Sequence, residues 1–421
     1  MQRRFNLGQL YISMIVFYFC FSFFSEGLLL FGRLPSKVMA TYKVATIIFV
    51  LCILAFIVLR TKYIPKMDFY IFITVIVLNV LATFVSYKRY KLIEARGIVD
   101  FCVTILNCFV FYFFIRTVPI FKTHINYSLI CFYFIVLCAC IFNLFVYHDD
   151  ILKLFSTQYK AYDINIRGPF GNRNTFAGYL FHGIVVGNLL FKFKKKYKFH
   201  IVICNLFLLF NLLLTLSRTA ILGTVIFLVI LFVFTKELSR MQKIFLIFLA
   251  LFGLAIVKST SLWELVQQKL IRKQYGNTGR TKIWMTSLQM NSNIFEILFG
   301  VGYGAKTSRL MEMIRRTSEH NSYLELYNLG GVLLLGLMLI FKGKMCIKSS
   351  KLKNKEMAIS LIAFQLSVLV VMFFESYSLL GSIAEKQLIF YLFASLPMLL
   401  KKLNESMDNN TYYPEQMFQV N

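Results

Sequence analysis

The chain is a succession of apolar runs, most of them about 17–25 residues long, separated by polar gaps that hold nearly all of its charge. The runs fall at 10–30, 38–59, 69–87, 97–118, 127–147 and 175–191, then at 199–216, 219–234, 244–257, 324–341, 357–377 and 387–400. This predicts about twelve membrane spans. Lipid offers no partner for backbone N–H and C=O groups, so a spanning segment must satisfy them itself, as a helix or within a closed barrel. No run alternates polar and apolar residues with the period of two that barrel strands require. The expected fold is therefore all-α: a polytopic bundle of membrane helices with one long extracytoplasmic loop, from Lys258 to Ser322. The first apolar run follows Arg3 and Arg4 much as in a signal peptide. No small-residue cleavage site follows it, so it is read as a retained first helix.

Charge orients the bundle. Basic residues cluster in every second gap: Arg3 and Arg4, then Arg60, Lys62 and Lys66, the run from Lys192 to Lys198, the group Lys236, Arg240 and Lys243, and the block from Lys342 to Lys355. With these gaps on the cytoplasmic side, as the distribution of Lys and Arg in short loops demands, the N-terminus is cytoplasmic and the long loop is outside. One gap resists: Lys88, Arg89, Lys91 and Arg96 fall outside with only Glu94 to offset them. Either that hairpin is misread or those cations face an anion.

The net charge of +27, from 46 basic and 19 acidic residues, needs no partner beyond the anionic headgroups of membrane lipids. Nucleic acid is excluded as a ligand, because the basic clusters are single loops without a stacking platform. The nine cysteines are expected as buried free thiols: eight fall inside apolar runs and Cys346 in a loop, with no CxxC pair or His-Cys grouping at metal-ligand spacing.

Three places interrupt the apolar monotony. In Arg167-Gly168-Pro169-Phe170-Gly171-Asn172-Arg173-Asn174, Gly and Pro force a turn and Asn174 is placed to cap a helix starting at Thr175. The stretch is either a capped helix entrance with solvated arginines or a place where Arg167 or Arg173 holds phosphate. In Ser217-Arg218-Thr219, an arginine stands between two apolar runs with almost no loop around it, which is costly unless it snorkels or meets a polar cavity. In the long loop, Arg280 and Trp284 precede Gly300-Val301-Gly302-Tyr303-Gly304. No strand-helix-strand unit surrounds these glycines, so they read as a tight turn over which a large substrate passes, and not as a nucleotide site.

The loop ends on Ser318-Glu319-His320-Asn321-Ser322, which sets an imidazole where the loop returns to the membrane. Histidine is the side chain best suited to take a proton near neutral pH. Glu319 beside it is a second candidate, to orient the ring or raise its pKa.

In their order, these motifs resemble the O-antigen ligase and polymerase superfamily: the Arg167 to Asn174 stretch at a span entrance, Ser217-Arg218-Thr219-Ala220, Arg280 with Trp284, Gly300-x-Gly302-x-Gly304, His320-Asn321-x-Tyr323-Leu324-Glu325, and Gly330-Gly331. The resemblance covers about Arg167 to Gly336. Arg173 stands where proline is common in that family. The expected organisation is membrane helices over 1–165, read from hydropathy alone, a core over 166–345 that includes the loop 258–322 and that the resemblance makes ligase-like, further apolar helices over 346–402 and a polar cytoplasmic tail over 403–421. The resemblance also implies a C-type glycosyltransferase fold in the bacterial inner (cytoplasmic) membrane, with an extracytoplasmic active site, acting on glycans carried by undecaprenyl pyrophosphate.

A sugar attached to pyrophosphate through its anomeric carbon is already activated. The site must supply a sink for the acceptor's proton and stabilise the charge on the leaving phosphate. His320 fits the first role. Arg218 and Arg280, with Arg167 as a third, fit the second, since a guanidinium stays charged and grips phosphate oxygens in pairs. Asn174, Glu319, Asn321 and Trp284 complete the candidate substrate-binding set. Asp149, Asp150 and Asp163 match no metal-ligand spacing, so no metal or cofactor is expected, and attack opposite the leaving group predicts inversion. The implied partners are the undecaprenyl-pyrophosphate oligosaccharide, an acceptor glycan or glycolipid, membrane lipids, and a chain-length regulator and flippase. Diverse repeat-unit chemistry favours a polymerase of O-antigen or capsular units; a ligase passing the finished chain to a terminal acceptor is the alternative. A transporter of lipid-linked glycan is the rival of another class. It is expected to show internal repeats and midplane charges, whereas the charged candidates here gather at one outside face.

Overall fold

A computed structural model of the chain describes residues 66–90, 122–154, 164–193, 197–236, 262–271, 280–302, 305–315 and 319–375, with isolated positions elsewhere. Among the described residues there is no β-strand, and three helices are long and apolar enough to cross a membrane: Asn126–Val146, Ser322–Ser350 and Lys355–Phe374. Lys198–Leu214 and Arg218–Phe234 are shorter apolar helices. The chain is thus a helical membrane protein. The runs expected at 10–30, 38–59, 97–118, 244–257 and 387–400 lie largely outside the described residues, as does the proposed tail.

The helices that build the site are α1 (Lys66–Tyr90), α2 (Lys122–Val146), the short α3 (His148–Leu154), α4 (Arg173–Phe193), α5 (Lys198–Leu214) and α6 (Arg218–Phe234). Three more are folded from the long loop, α7 (Arg280–Gln289), α8 (Ile294–Phe299) and α9 (Lys306–Ile314), and two long helices follow, α10 (Ser322–Ser350) and α11 (Lys355–Phe374). Helix α4 is buried on nearly every side, from Phe176 to Leu190, and packs against α2, α5, α6 and α11. Polarity is distributed as a lipid solvent requires. Large apolar side chains such as Phe84, Phe134, Phe145, Leu206, Val229 and Phe234 point outward, while buried amides join helices inside. Asn143 Nδ2 donates to Asn211 Oδ1 at 3.1 Å between α2 and α5, and the Ser360 hydroxyl donates to Asn188 Oδ1 at 2.6 Å between α11 and α4.

Two features of α10 differ from the expectation. The helix runs on to Ser350, so the basic block from Lys342 is not a loop; only 351–354 turn the chain into α11. Lys342 is buried and donates to Gln365 Oε1 at 3.0 Å. A count of charges ends the span at Lys342 because it cannot see that acceptor on a neighbouring helix. The second feature is a break at Gly330 (φ −144°, ψ 17°) and Gly331 (φ 66°, ψ −165°). From 332 onward about 19 residues remain, roughly 28 Å of helix, enough to cross the hydrocarbon core. The break frees the carbonyls of Asn328 and Leu329, and the glycine turn takes them up: Val301 N–H donates to Asn328 O at 2.8 Å and Gly302 N–H to Leu329 O at 3.2 Å. An unpaired carbonyl inside a bundle is expensive, so the glycine turn and the broken helix require each other.

The turn expected at these glycines is present, and it packs one segment tightly against another. A Cβ on Gly300 would lie 2.5 Å from Gly330 N, one on Gly302 would lie 2.7 Å from Thr83 N of α1, and one on Gly331 would strike the Leu298 carbonyl. Gly304 lies outside the described residues. Helix α1 is tied to the same place. The Ser86 hydroxyl donates to Val301 O, and Arg89 Nη1 donates to Glu296 Oε1 at 3.2 Å. The cationic gap after α1 is thus met in part by a carboxylate of the loop itself, since Glu296 is buried between Arg89 and Arg309. Lys91 and Arg96 lie outside the described residues.

Candidate active site

One end of the bundle collects the beginnings of α4, α6, α7 and α10 and the end of α11. At the other end of α11, Glu356 accepts from Thr235 Oγ1 at 2.7 Å, from Lys236 N–H at 3.0 Å and from Lys192 Nζ at 3.4 Å, which marks the face of the short basic gaps.

At the first end the hub is Glu375, the residue that follows α11. Its Oε2 accepts from Asn174 Nδ2 at 3.2 Å and lies 4.0 Å from Arg280 Nη2, and its Oε1 lies 3.6 Å from His320 Nδ1. The backbone closes around it: Ser322 Oγ donates to Glu375 O at 2.9 Å, and Arg280 Nη1 donates to Phe374 O at 2.7 Å. The helix C-terminus of α11, where carbonyls lack intrahelical partners, is capped by a cation, which also suits the helix dipole. The Ser217 hydroxyl, at the start of α6, donates to Asn174 Oδ1 at 3.0 Å and so links a fifth helix into the cluster. The His320 side chain is 42% exposed and that of Glu375 12% exposed, so the ring stands between a half-sheltered carboxylate and open space. Nδ1 of the ring thus faces the Glu375 carboxylate, and part of the side chain remains open to the surroundings.

The backbone at His320 is left-handed, with φ 51°. Histidine tolerates this region better than most residues, but it still costs free energy and must be imposed by neighbours. On one side Trp284 Nε1 donates to Glu319 O at 3.1 Å. On the other, Asn321 caps α10, its side chain accepting from Tyr323 N–H at 2.9 Å and Leu324 N–H at 3.2 Å. Beneath lies a sealed ionic group: Lys306 Nζ stands 3.0 Å from Glu319 Oε2 and 2.9 Å from Glu325 Oε1, and Asn328 Nδ2 reaches Glu319 Oε1 at 3.3 Å and Ser287 Oγ at 2.6 Å. Burial alone would lower the Lys306 pKa, but the carboxylates of Glu319 and Glu325 overcome it and hold the ammonium above the ordinary lysine range.

Residues 203–341 match the family described as O-antigen ligase. Over that stretch the chain is similar to the O-antigen ligase family. No curated protein matches the chain at a comparable level. The ligase-like segment contains Arg218, Arg280, Trp284, Glu319, His320 and Asn321, whereas Asn174 and Glu375, which complete the cluster, come from helices on either side of it.

The geometry redistributes the parts that the sequence suggests for this ligase-like site. His320, Arg280 and Asn174 come together on Glu375. Asn174 does not cap its helix: α4 begins at Arg173, and Asn172 Oδ1 accepts the Asn174 N–H at 2.8 Å, which releases the Asn174 side chain to bridge Ser217 and Glu375. Glu319 does not reach its neighbour's ring, because its carboxylate is fully buried on Lys306. Asn321 and Trp284 brace the backbone around His320. Arg167 lies in the turn before α4, its Nε on the Tyr147 hydroxyl at 3.1 Å and its Nη1 on Gly171 O at 3.3 Å. Arg218 opens α6, exposed and directly after Ser217; among the described residues no hydrogen bond joins it to the Glu375 cluster.

Glu375 is the residue that the sequence reading passes over, because the run 357–377 absorbs it as one charge inside an apolar span. Its signal was there. A lone carboxylate at the margin of an otherwise uncharged span is costly and seldom idle. Among the described residues, no three of His, Cys, Asp and Glu gather as ligands for an ion. Asp149 and Asp150 pair locally with His148 at 3.0 Å and Lys153 at 2.9 Å, and Asp163 lies outside the described residues. The described thiols are unpaired. Cys140 is buried as expected, while Cys52 and Cys102 are exposed.

Proposed function

We propose that this membrane enzyme joins glycans carried on undecaprenyl pyrophosphate, and that it polymerises O-antigen or capsular repeat units at an extracytoplasmic site, without a metal and with inversion. The observation that carries the proposal is the meeting of an exposed imidazole, a guanidinium and a carboxylate at His320, Arg280 and Glu375, two of them within the ligase-like segment. An acceptor sugar hydroxyl attacks the anomeric carbon of the donor. The new C–O bond forms as the bond to pyrophosphate breaks, the hydroxyl proton passes to His320, and undecaprenyl pyrophosphate leaves as the anion. Glu375 holds the ring and stabilises the imidazolium that results. Arg280, with Arg218 beside the Asn174–Ser217 link, stabilises the leaving pyrophosphate. Arg280 already spends one N–H on Phe374 O, and the fork geometry of guanidinium leaves further donors for phosphate.

In the polymerase reading the growing chain moves from its lipid carrier onto a new lipid-linked unit; in the ligase reading the finished chain moves to a terminal acceptor. Purified protein incubated with labelled undecaprenyl-pyrophosphate oligosaccharide separates them. Longer lipid-linked chains are the expected product, and label on a core lipid supplied in the same reaction would make it a ligase. The transport reading draws on Lys342, a basic side chain buried within α10, and predicts that the donor emerges covalently unchanged.

A further inference from the structure

We infer that Lys306 is a positioning residue for His320: from α9 it clamps the buried carboxylate of Glu319, and so holds the adjacent imidazole in its left-handed backbone setting. The inference rests on the reading of His320 as proton acceptor and names the device that places it. Three observations converge on it. The side chains of Lys306, Glu319 and Glu325 are at most 9% exposed, so this ionic group is sealed from water and cannot bind substrate itself. Glu319 is fixed at both ends, its carboxylate on Lys306 and Asn328 and its carbonyl on the Trp284 indole, while the next residue carries φ 51°. Lys306 in turn is placed by the glycine turn, for its N–H donates to Gly302 O at 3.3 Å, and that turn is seated on the break in α10 through the Asn328 and Leu329 carbonyls.

The result is a closed mechanical loop. The broken helix holds the glycine turn, the turn sets the start of α9, and Lys306 on α9 reaches back to Glu319 beside the reacting ring. A strained backbone conformer survives only where its surroundings over-determine it. Removing the cation leaves two carboxylates buried without their shared counter-charge, and Glu319 must then move or take up a proton. Either response shifts the chain at His320, and a displacement of about 1 Å in a reacting group costs on the order of 100-fold in rate.

The test uses the full-length purified protein with lipid-linked donor, and reads two quantities: steady-state kinetics, and the rate at which diethyl pyrocarbonate modifies His320, followed by peptide mass spectrometry. Lys306→Met and Glu319→Gln are each expected to lower kcat about 10-fold or more while the donor KM stays within about twofold. Both are also expected to change the modification rate at His320. Lys306→Arg, which keeps a cation between the two carboxylates, is expected to restore much of kcat. Should Lys306→Met fail to insert, Glu319→Gln decides, since it keeps the side-chain shape and leaves Lys306 on Glu325. Wild-type kcat and an unchanged His320 modification rate in a folded variant would overturn the inference, as would kcat and KM changing together with His320 reactivity unaltered. If His320→Ala turns over normally, the proton-acceptor reading fails by itself, while altered His320 reactivity in Lys306→Met still establishes the positioning.

Discussion

Replacing Glu375 by Gln tests the hub of the site. The change keeps the shape of the side chain and an oxygen for Asn174 Nδ2, and removes only the negative charge that faces His320 Nδ1 at 3.6 Å. Opposite unit charges at that distance attract by roughly 2–5 kcal/mol for effective dielectrics of about 40 down to 20. The His320 side chain is 42% exposed and the carboxylate is shared with Asn174 and Arg280, so the lower end applies. A loss of about 1.5–3 kcal/mol of imidazolium stabilisation in the transition state corresponds to roughly 10- to 100-fold in kcat. The donor KM should move little if, as proposed, the arginines rather than this carboxylate take the donor phosphate. The assay is initial-rate transfer from labelled lipid-linked oligosaccharide by purified enzyme, matched for folded protein. Turnover of Glu375→Gln within twofold of wild type would refute the claim that this charge supports the imidazole. A fall in donor affinity with kcat preserved would instead move Glu375 to donor binding.

Arg280→Ala is expected to remove most activity and to lower thermal stability in detergent, because the same side chain caps α11 at Phe374 O; Lys should rescue only partly, as it offers a point charge without the planar fork. Arg218→Ala should remove most activity without a stability change, since the side chain is exposed at the start of α6, and full activity would return it to a surface role. Gly331→Ala forces a side chain into a conformation with φ 66° and against the Leu298 carbonyl, which should cost about 1–3 kcal/mol from backbone strain alone and appear as a lowered Tm. A cysteine at Ser308, on α9, in a background freed of native cysteines, should react with an impermeant maleimide in intact cells; labelling only after membrane disruption would reverse the orientation.

Hydropathy was enough to read the helical membrane class and the extents of α2, α4, α5 and α6, because lipid forces long apolar runs to hide their own backbone groups. It misjudged α10 in two ways with one cause. Lys342 has its acceptor on α11, and the break at Gly330–Gly331 has its hydrogen-bond partners on the glycine turn, so both depend on contacts between segments far apart in sequence. The same holds for the site. His320 and Arg280 could be picked out by residue type and position at the membrane margin, and Asn174 by its place in a turn, although its capping role passes to Asn172. Glu375 and Lys306 carry no local motif. Their importance comes from what stands opposite them, a ring in one case and two carboxylates in the other, and only the folded chain brings those together.

The most direct test of the central claim, that this cluster carries out glycan transfer with His320 as the proton acceptor, is to measure transfer rate and donor affinity in the same purified His320→Ala protein. The expected result is a loss of about 100-fold or more in rate, typical of a positioned proton acceptor, with insertion and donor binding retained. Near-normal turnover in the folded variant would contradict the account.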